Sequence, residues 1–164
     1  MTRLEILAQD FENEVTTTRK FLALVPDDKF DWKPHPKSMT IKQLTTHIAE
    51  LPEWVGMTFE TDSLDFANSP YQPADIKNRK ALQEFFEKNV ETAGTYFAHA
   101  NNENKLDEIW VLKEGENIYG SWPKAGVVRM SINQTIHHRA QLGVFLRLLN
   151  IPIPGSYGPS ADEH

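Results

Sequence analysis

The stretch NQTIHHRAQLGVFLRLLNIPIPG, Asn133–Gly155, decides the reading of the chain: it holds an amphipathic repeat, two adjacent histidines and an abrupt stop. At about 100° per residue with Gln134 as zero, Val127 and Phe145 fall at about 20°, Leu149 at about 60° and Leu142 at about 80°. One face of a helix from about Ala125 to Asn150 therefore carries the apolar side chains, and Pro152, Pro154 and Gly155 end it. His138, at about 40°, is expected at the centre of that buried face, with Gln134 one turn earlier also pointing inward. His137, at about 300°, is expected to have a different job.

Three further helices precede this one. Leu4, Leu7, Phe11, Val15, Phe21, Leu22 and Val25 mark the first, from Thr2 to about Leu24, with Thr2 as N-cap and Pro26 as stop. Ser38 or Thr40 caps the second, which runs to about Thr61 on Ile41, Leu44, Ile48, Leu51, Val55 and Phe59. Pro52 removes the hydrogen bond to Ile48 and crowds its carbonyl, which predicts a kink about one turn after His47. Residues 62–76 read as a surface loop, and Asn78 caps a third helix through Ala100 carrying Leu82, Phe86, Val90, Ala93 and Phe97. EIWVLKEGENIYGSW, residues 108–122, has β-branched and aromatic runs flanking a Glu-Gly-Glu-Asn turn, a short hairpin between helices three and four. The expected fold is all-α, a four-helix bundle with a small β-hairpin, in one domain over residues 1–164.

Composition narrows the function. The chain has no cysteine, so disulfides, thiolate nucleophiles and sulfur-ligated metal are excluded. A net charge of -6 and no basic run argue against a nucleic-acid partner, and no apolar run is long enough to span a membrane. The acidic N-terminal segment lacks a secretory pattern, which makes the cytoplasm the expected compartment. Neither a GxxxxGK[ST] loop nor a GxGxxG turn is present, and Ser131, Thr135 and Ser156 have no base and orienting acid at recognisable spacing.

Polar groups on an apolar stripe need partners or a ligand. Helix two supplies His47 beside its stripe, near Trp54, with Glu50 at i+3 and Gln43 at i-4 on the same side. Two bundle helices presenting imidazole, carboxylate and amide groups inward can hold a divalent ion. His35, His99 and His164 are expected to be solvated. The four tryptophans are read first as core or boundary packing, and the acid pairs Glu12 with Glu14 and Asp27 with Asp28 as solvated faces and caps.

The last quarter of the chain through GSYGPSADE, together with IKQLTTHIAE in helix two, PHPKSM before it and WPKAGVVRM before helix four, resembles the DinB superfamily of DNA-damage-inducible proteins. The resemblance spans nearly the whole chain. It implies an up-down-down-up course of the four helices, frequent dimers, and zinc or nickel held by three histidines, one on helix two and two on helix four. The helix-two ligand maps onto His47 and one helix-four ligand, immediately before an arginine, onto His138. The third falls on Gln134, an amide where the pattern has imidazole, and a weaker transition-metal ligand. Some relatives resemble metal-dependent transferases of bacillithiol, mycothiol or glutathione, in which a metal would lower the thiol's pKa.

These readings converge on a metal-dependent enzyme of thiol-transferase or hydrolase type, acting on a small molecule and forming a homodimer. Its metal site would be His47, His138 and Gln134, with Glu50, Trp54, His137 and Arg139 in a second shell or at the pocket rim. A degenerate site in a non-catalytic small-molecule or stress-response protein is the alternative. The tail after Pro154, guided by Pro152 and Pro154, is expected to fold back over the bundle.

Overall fold

A computed structural model describes residues 1–163; His164 lies outside the described residues. Five α-helices are present among them: α1 (Arg3–Leu22), α2 (Ile41–Glu50), α3 (Glu53–Glu60), α4 (Arg79–Ala98) and α5 (Lys124–Leu148). Short 3-10 turns cover Asp27–Lys29 and Ala100–Lys105.

Side-chain caps set the starts of three helices. Thr2 and Thr40 each form a reciprocal capping box, with Glu5 and Gln43 respectively, and Asn78 accepts from the Ala81 N–H. α5 ends in a Schellman arrangement. Asn150 takes the left-handed conformation, φ 58°, while the N–H groups of Asn150 and Ile151 donate to the carbonyls of Arg147 and Leu146.

The second helix is broken rather than kinked. It stops at Glu50, turns through Leu51 and Pro52, and restarts as α3 at Glu53, because Pro52 has no N–H to offer Ile48. Two side chains take up carbonyls at the break: Asn89 donates to Ala49 (2.9 Å) and Ser131 to Leu51 (2.7 Å). With α2 and α3 counted as one rod, both that rod and α1 pack against α4 and α5, so α5 lies between α1 and the broken rod. The apolar stripes of the first two rods are buried throughout, and each large side chain so buried contributes ~1.5–3 kcal/mol. Gly56 is required where α3 meets α4, since a Cβ there would stand 2.6 Å from the Tyr96 ring.

The segment between α4 and α5 forms the expected hairpin, β2 (Ile109–Glu114) with β3 (Asn117–Pro123). Gly115 holds φ 57° at the first turn position, as a type II′ turn requires. The hairpin is not alone. Residues 63–65, read from sequence as loop, form β1, which pairs parallel to β2, giving a mixed three-stranded sheet in the order β1-β2-β3. A three-residue strand carries too little pattern to be legible.

On α5 the buried face is rotated from its expected position. Val127, Leu142 and Phe145 are buried as expected, but Lys124, Val128, Ser131, Ile132, Thr135, Arg139 and Leu146 are buried beside them, which moves the centre to about 100° on the scale used above. His138 lies at the edge of this face, half-buried, and Gln134 is exposed, against the expectation that both point inward. The apolar residues alone misplaced the centre because Ser131, Thr135 and Arg139 occupy it.

The tail folds back as expected. Asp162 pairs with Arg147 (2.8 Å) and accepts from the Ile153 N–H, Glu163 accepts from Gly155 and Ser160, and Ile153 packs on the core. No helix among the described residues is long and apolar enough to cross a membrane.

Candidate functional site

His47 and His138 meet across the α2–α5 contact. Their rings stand edge to face at 81°, centroids 4.7 Å apart. His137 lies 4.9 Å from His138 in a second edge-to-face contact. Three imidazoles thus stand in a row although only two were expected to share a site.

The neighbours of this row assign its proton positions. The Gln141 amide nitrogen is 3.1 Å from His137 Nε2, and its oxygen is 3.2 Å from His138 Nδ1. With the Gln141 amide in this orientation, its N–H donates to His137 Nε2 and its oxygen accepts from His138 Nδ1–H. His138 Nε2 is left with its lone pair available. Burial lowers the His138 pKa, and the charges that His47 and His137 would carry lower it further, against the opposing pull of Gln141. His138 is therefore a neutral imidazole at pH 7, suited to take a proton or bind a cation.

Behind His47 stands Glu50. Its Oε2 is 3.9 Å from His47 Nδ1, too long for a hydrogen bond, and accepts from the Tyr71 hydroxyl at 2.6 Å; Oε1 accepts from the Ala74 N–H at 3.2 Å. Burial pushes the Glu50 carboxyl up, but the donors around it outweigh burial and hold it below the ordinary carboxylate range. Burial first, and then the Glu50 contact, raise the Tyr71 phenol well above its usual value. Tyr71 is pinned over the site as a neutral hydroxyl.

A groove of about 910 Å³ opens beside His47 and Glu50. Trp54, Met57, Leu64 and Phe66 give it an apolar wall, and Lys33 and Lys37 line it from the segment before α2. Its size is at the upper end for small-molecule sites. Trp54 faces it while stacking obliquely on buried Trp110 at 6.1 Å, so one tryptophan lines a pocket and its partner is core.

Arg139, expected at the pocket rim, is elsewhere. It is 2 % exposed and reaches α1, with Nη2 2.6 Å from Glu14 Oε2 and Nη1 donating to the Glu14 carbonyl and the Thr18 hydroxyl, each at 3.1 Å. Tyr157 of the tail donates to Glu14 Oε1 at 2.7 Å and lies beneath the guanidinium. Glu14, read from sequence as solvated, is buried here as the counter-ion.

The donor set can be tested against zinc or nickel. A catalytic zinc site takes three protein ligands and keeps one position open. Two imidazoles converge here, Gln134 is turned to solvent, and Glu50 has both oxygens engaged. Among the described residues no three His, Cys, Asp or Glu side chains group about a point. As arranged, the residues do not complete a metal site.

Sequence reasoning missed Gln141 and Tyr71. Gln141 was findable, since i+4 from His137 and i+3 from His138 puts it beside both. Tyr71 had no signal, because its Pro-flanked loop has no period.

A helical chain with a histidine row on its second and last rods, a hairpin before the last and a folded-back tail defines one class: the chain belongs to the DinB family, whose model matches residues 1–164. Among individual relatives, it is 23% identical over 161 residues to the uncharacterized protein YrdA of Bacillus subtilis (strain 168), covering 98% of this chain and 91% of that one. Its fold is similar to that of a DinB-like protein (YjoA) from Bacillus subtilis, with TM-score 0.69 at 16% identity over 92% of this chain and 96% of that one. It is also similar to a mycothiol-dependent maleylpyruvate isomerase, with TM-score 0.61 at 15% identity over 87% of this chain and 63% of that one.

Proposed function

We propose that this chain is an enzyme that binds a small organic molecule in the groove beside α2 and α3 and transfers a low-molecular-weight thiol to it at the His47–His138 pair. The observation that carries the reading is the approach of the two imidazoles to 4.7 Å from separate helices, that of His47 lining a groove roomy enough for a metabolite. The fold shared with a mycothiol-dependent isomerase supports thiol as the co-substrate.

In the transfer, the S–H bond of the thiol breaks and its proton passes to Nε2 of His138. The sulfur's electron pair forms a C–S bond to the electrophilic carbon of the groove-bound molecule, and that carbon's bond to its leaving group, a halide ion in the assay below, breaks and carries off its electron pair. Gln141 holds His138 in the tautomer that offers Nε2, and burial keeps it unprotonated at pH 7. His47 stands edge to face against the ring that takes the proton, with the Glu50 carboxylate behind it. Tyr71 and Trp54 flank the bound molecule and limit water at the reacting centre.

A second reading, in which His47 and His138 hold zinc or nickel with Gln134 as third donor, is favoured by the same approach of two imidazoles. It requires Gln134 to turn in from solvent. A homodimer with the up-down-down-up helix course belongs to both readings.

The deciding experiment pairs turnover of thiols with a chromogenic aryl halide against elemental analysis of wild type, His47→Ala and His138→Ala. Turnover in metal-free wild type, lost in both variants, supports the first reading. One metal per chain, lost in both variants along with turnover, supports the second. Full turnover in His138→Ala would sink both.

A further inference from the structure

The groove is charged unevenly, and the unevenness points to a kind of substrate. Lys33 and Lys37 flank the Pro34-His35-Pro36 turn just before α2, both exposed and both lining the groove. Lys33 Nζ donates to the Pro36 carbonyl at 2.9 Å, which holds that corner in place. Among the described residues neither lysine has a carboxylate partner; six other lysines do, and Lys20, Lys88 and Lys105, which do not, lie outside the groove. On a chain of net charge -6, two cations free of counter-ions in one groove form a local exception.

The acids of the groove stand at the other end. Glu50 is the last residue of α2 and Glu53 the first of α3, while the lysines precede Ile41, the first residue of α2. At 1.5 Å rise per residue, the ten residues of α2 put roughly 14 Å between the two ends. Glu50 is already engaged by Tyr71 and Ala74, so it offers little to a second cation or anion. His47 lies between the ends, about 9 Å along the axis from Ile41. Trp54, Met57, Leu64 and Phe66 line the space with apolar surface.

We infer that the groove selects an organic anion: a molecule whose negatively charged head is held by Lys33 and Lys37 and whose apolar body lies along the Trp54 wall, bringing its far end to His47. The inference rests on the proposed groove but not on the reaction assigned to it. Charge opposite to the protein's own is what the lysines add, and a fixed distance from head to reacting atom is what α2 adds.

The test is calorimetric titration with a series of unbranched aryl-alkanoic acids and their primary amides, which differ in charge at nearly constant shape. The acids are expected to bind wild type about tenfold more tightly than the amides, the factor expected from two partly exposed ion pairs. In the Lys33→Gln/Lys37→Gln variant that preference is expected to vanish while amide binding is retained. His138→Ala is expected to keep the preference. Equal binding of acid and amide by wild type, no saturable binding of either, or a preference that survives loss of both lysines would overturn the inference. An acid preference in a wild-type protein without thiol turnover would remove the proposed reaction and leave this selectivity standing.

Discussion

His138 and Arg139 are consecutive on α5, yet they serve the two flanks of that helix in opposite ways. Toward α2, His138 is half-buried, neutral, bonded through one ring nitrogen and free at the other. Toward α1, Arg139 is sealed in, with a carboxylate, a carbonyl, a hydroxyl and a phenol around it. A polar network closed around a buried ion pair fixes structure, while one with a lone pair left open can act on something else. The difference separates the two flanks by purpose, and it can be broken at either side.

The largest effect is expected from Arg139→Ala, which strands Glu14 in the interior. Loss of one partner of a buried pair costs ~3–5 kcal/mol, and urea melts should show it, with Glu14→Leu/Arg139→Met recovering most of the loss. A melt unchanged by Arg139→Ala would remove the structural role given to that flank. On the other flank, His47→Ala or His138→Ala should cut turnover by about 10²- to 10⁴-fold, as expected when a proton acceptor is removed. Melts of these variants should stay within about 1 kcal/mol of wild type, because the removed ring is an edge group with open valence; a loss as large as that of Arg139→Ala would erase the contrast.

Gln141→Ala should lower turnover by about tenfold, the smaller change expected when a group that orients a working imidazole is lost. Nitrogen NMR of the His138 ring should then show a mixture of tautomers where wild type shows Nδ1–H alone. An unchanged spectrum would mean the amide does not set the proton.

The smallest effect concerns the tail. Arg147 above all, and then the Ile153 N–H, hold the Asp162 carboxyl below its ordinary range. A depressed carboxylate contributes its hold in full above its unfolded value of about 3.9 and loses it as pH falls through the lower folded value. Protection of the amides in residues 151–163, relative to their intrinsic exchange rate, should therefore fall below about pH 4 in wild type. Asp162→Asn should show low protection at every pH, and an unaltered acid response in that variant would clear Asp162 of the role.

The helices were legible because three of them bury stripes of one chemical kind, as Leu4, Leu7, Phe11 and Val15 do on α1. Thr2, Thr40 and Asn78 could be read as caps because capping depends on residues three apart in sequence. α5 hid its buried face because Ser131, Thr135 and Arg139 are on it; Thr135 bonds back to the Ser131 carbonyl, but the partners of Ser131 and Arg139, namely Leu51, Glu14, Thr18 and Tyr157, lie outside the helix. The His47–His138 meeting was inferred from two helices each bearing a histidine near its stripe, although Gln134, placed beside them by the same argument, faces solvent. The groove was out of reach, since its far wall comes from β1 and a Pro-flanked loop without a repeat.

The interruption at Leu51 and Pro52 also bears on how such a groove can change over time. An unbroken helix would lock the directions of His47 and Trp54 together, so that any shift in the wall would move the reacting ring. With the rod divided, Asn89 and Ser131 anchor its free carbonyls to the two helices behind it, and the wall on α3 takes its own direction, separate from that of the histidine row. The division lets the wall of the groove and the histidine row be altered by separate substitutions.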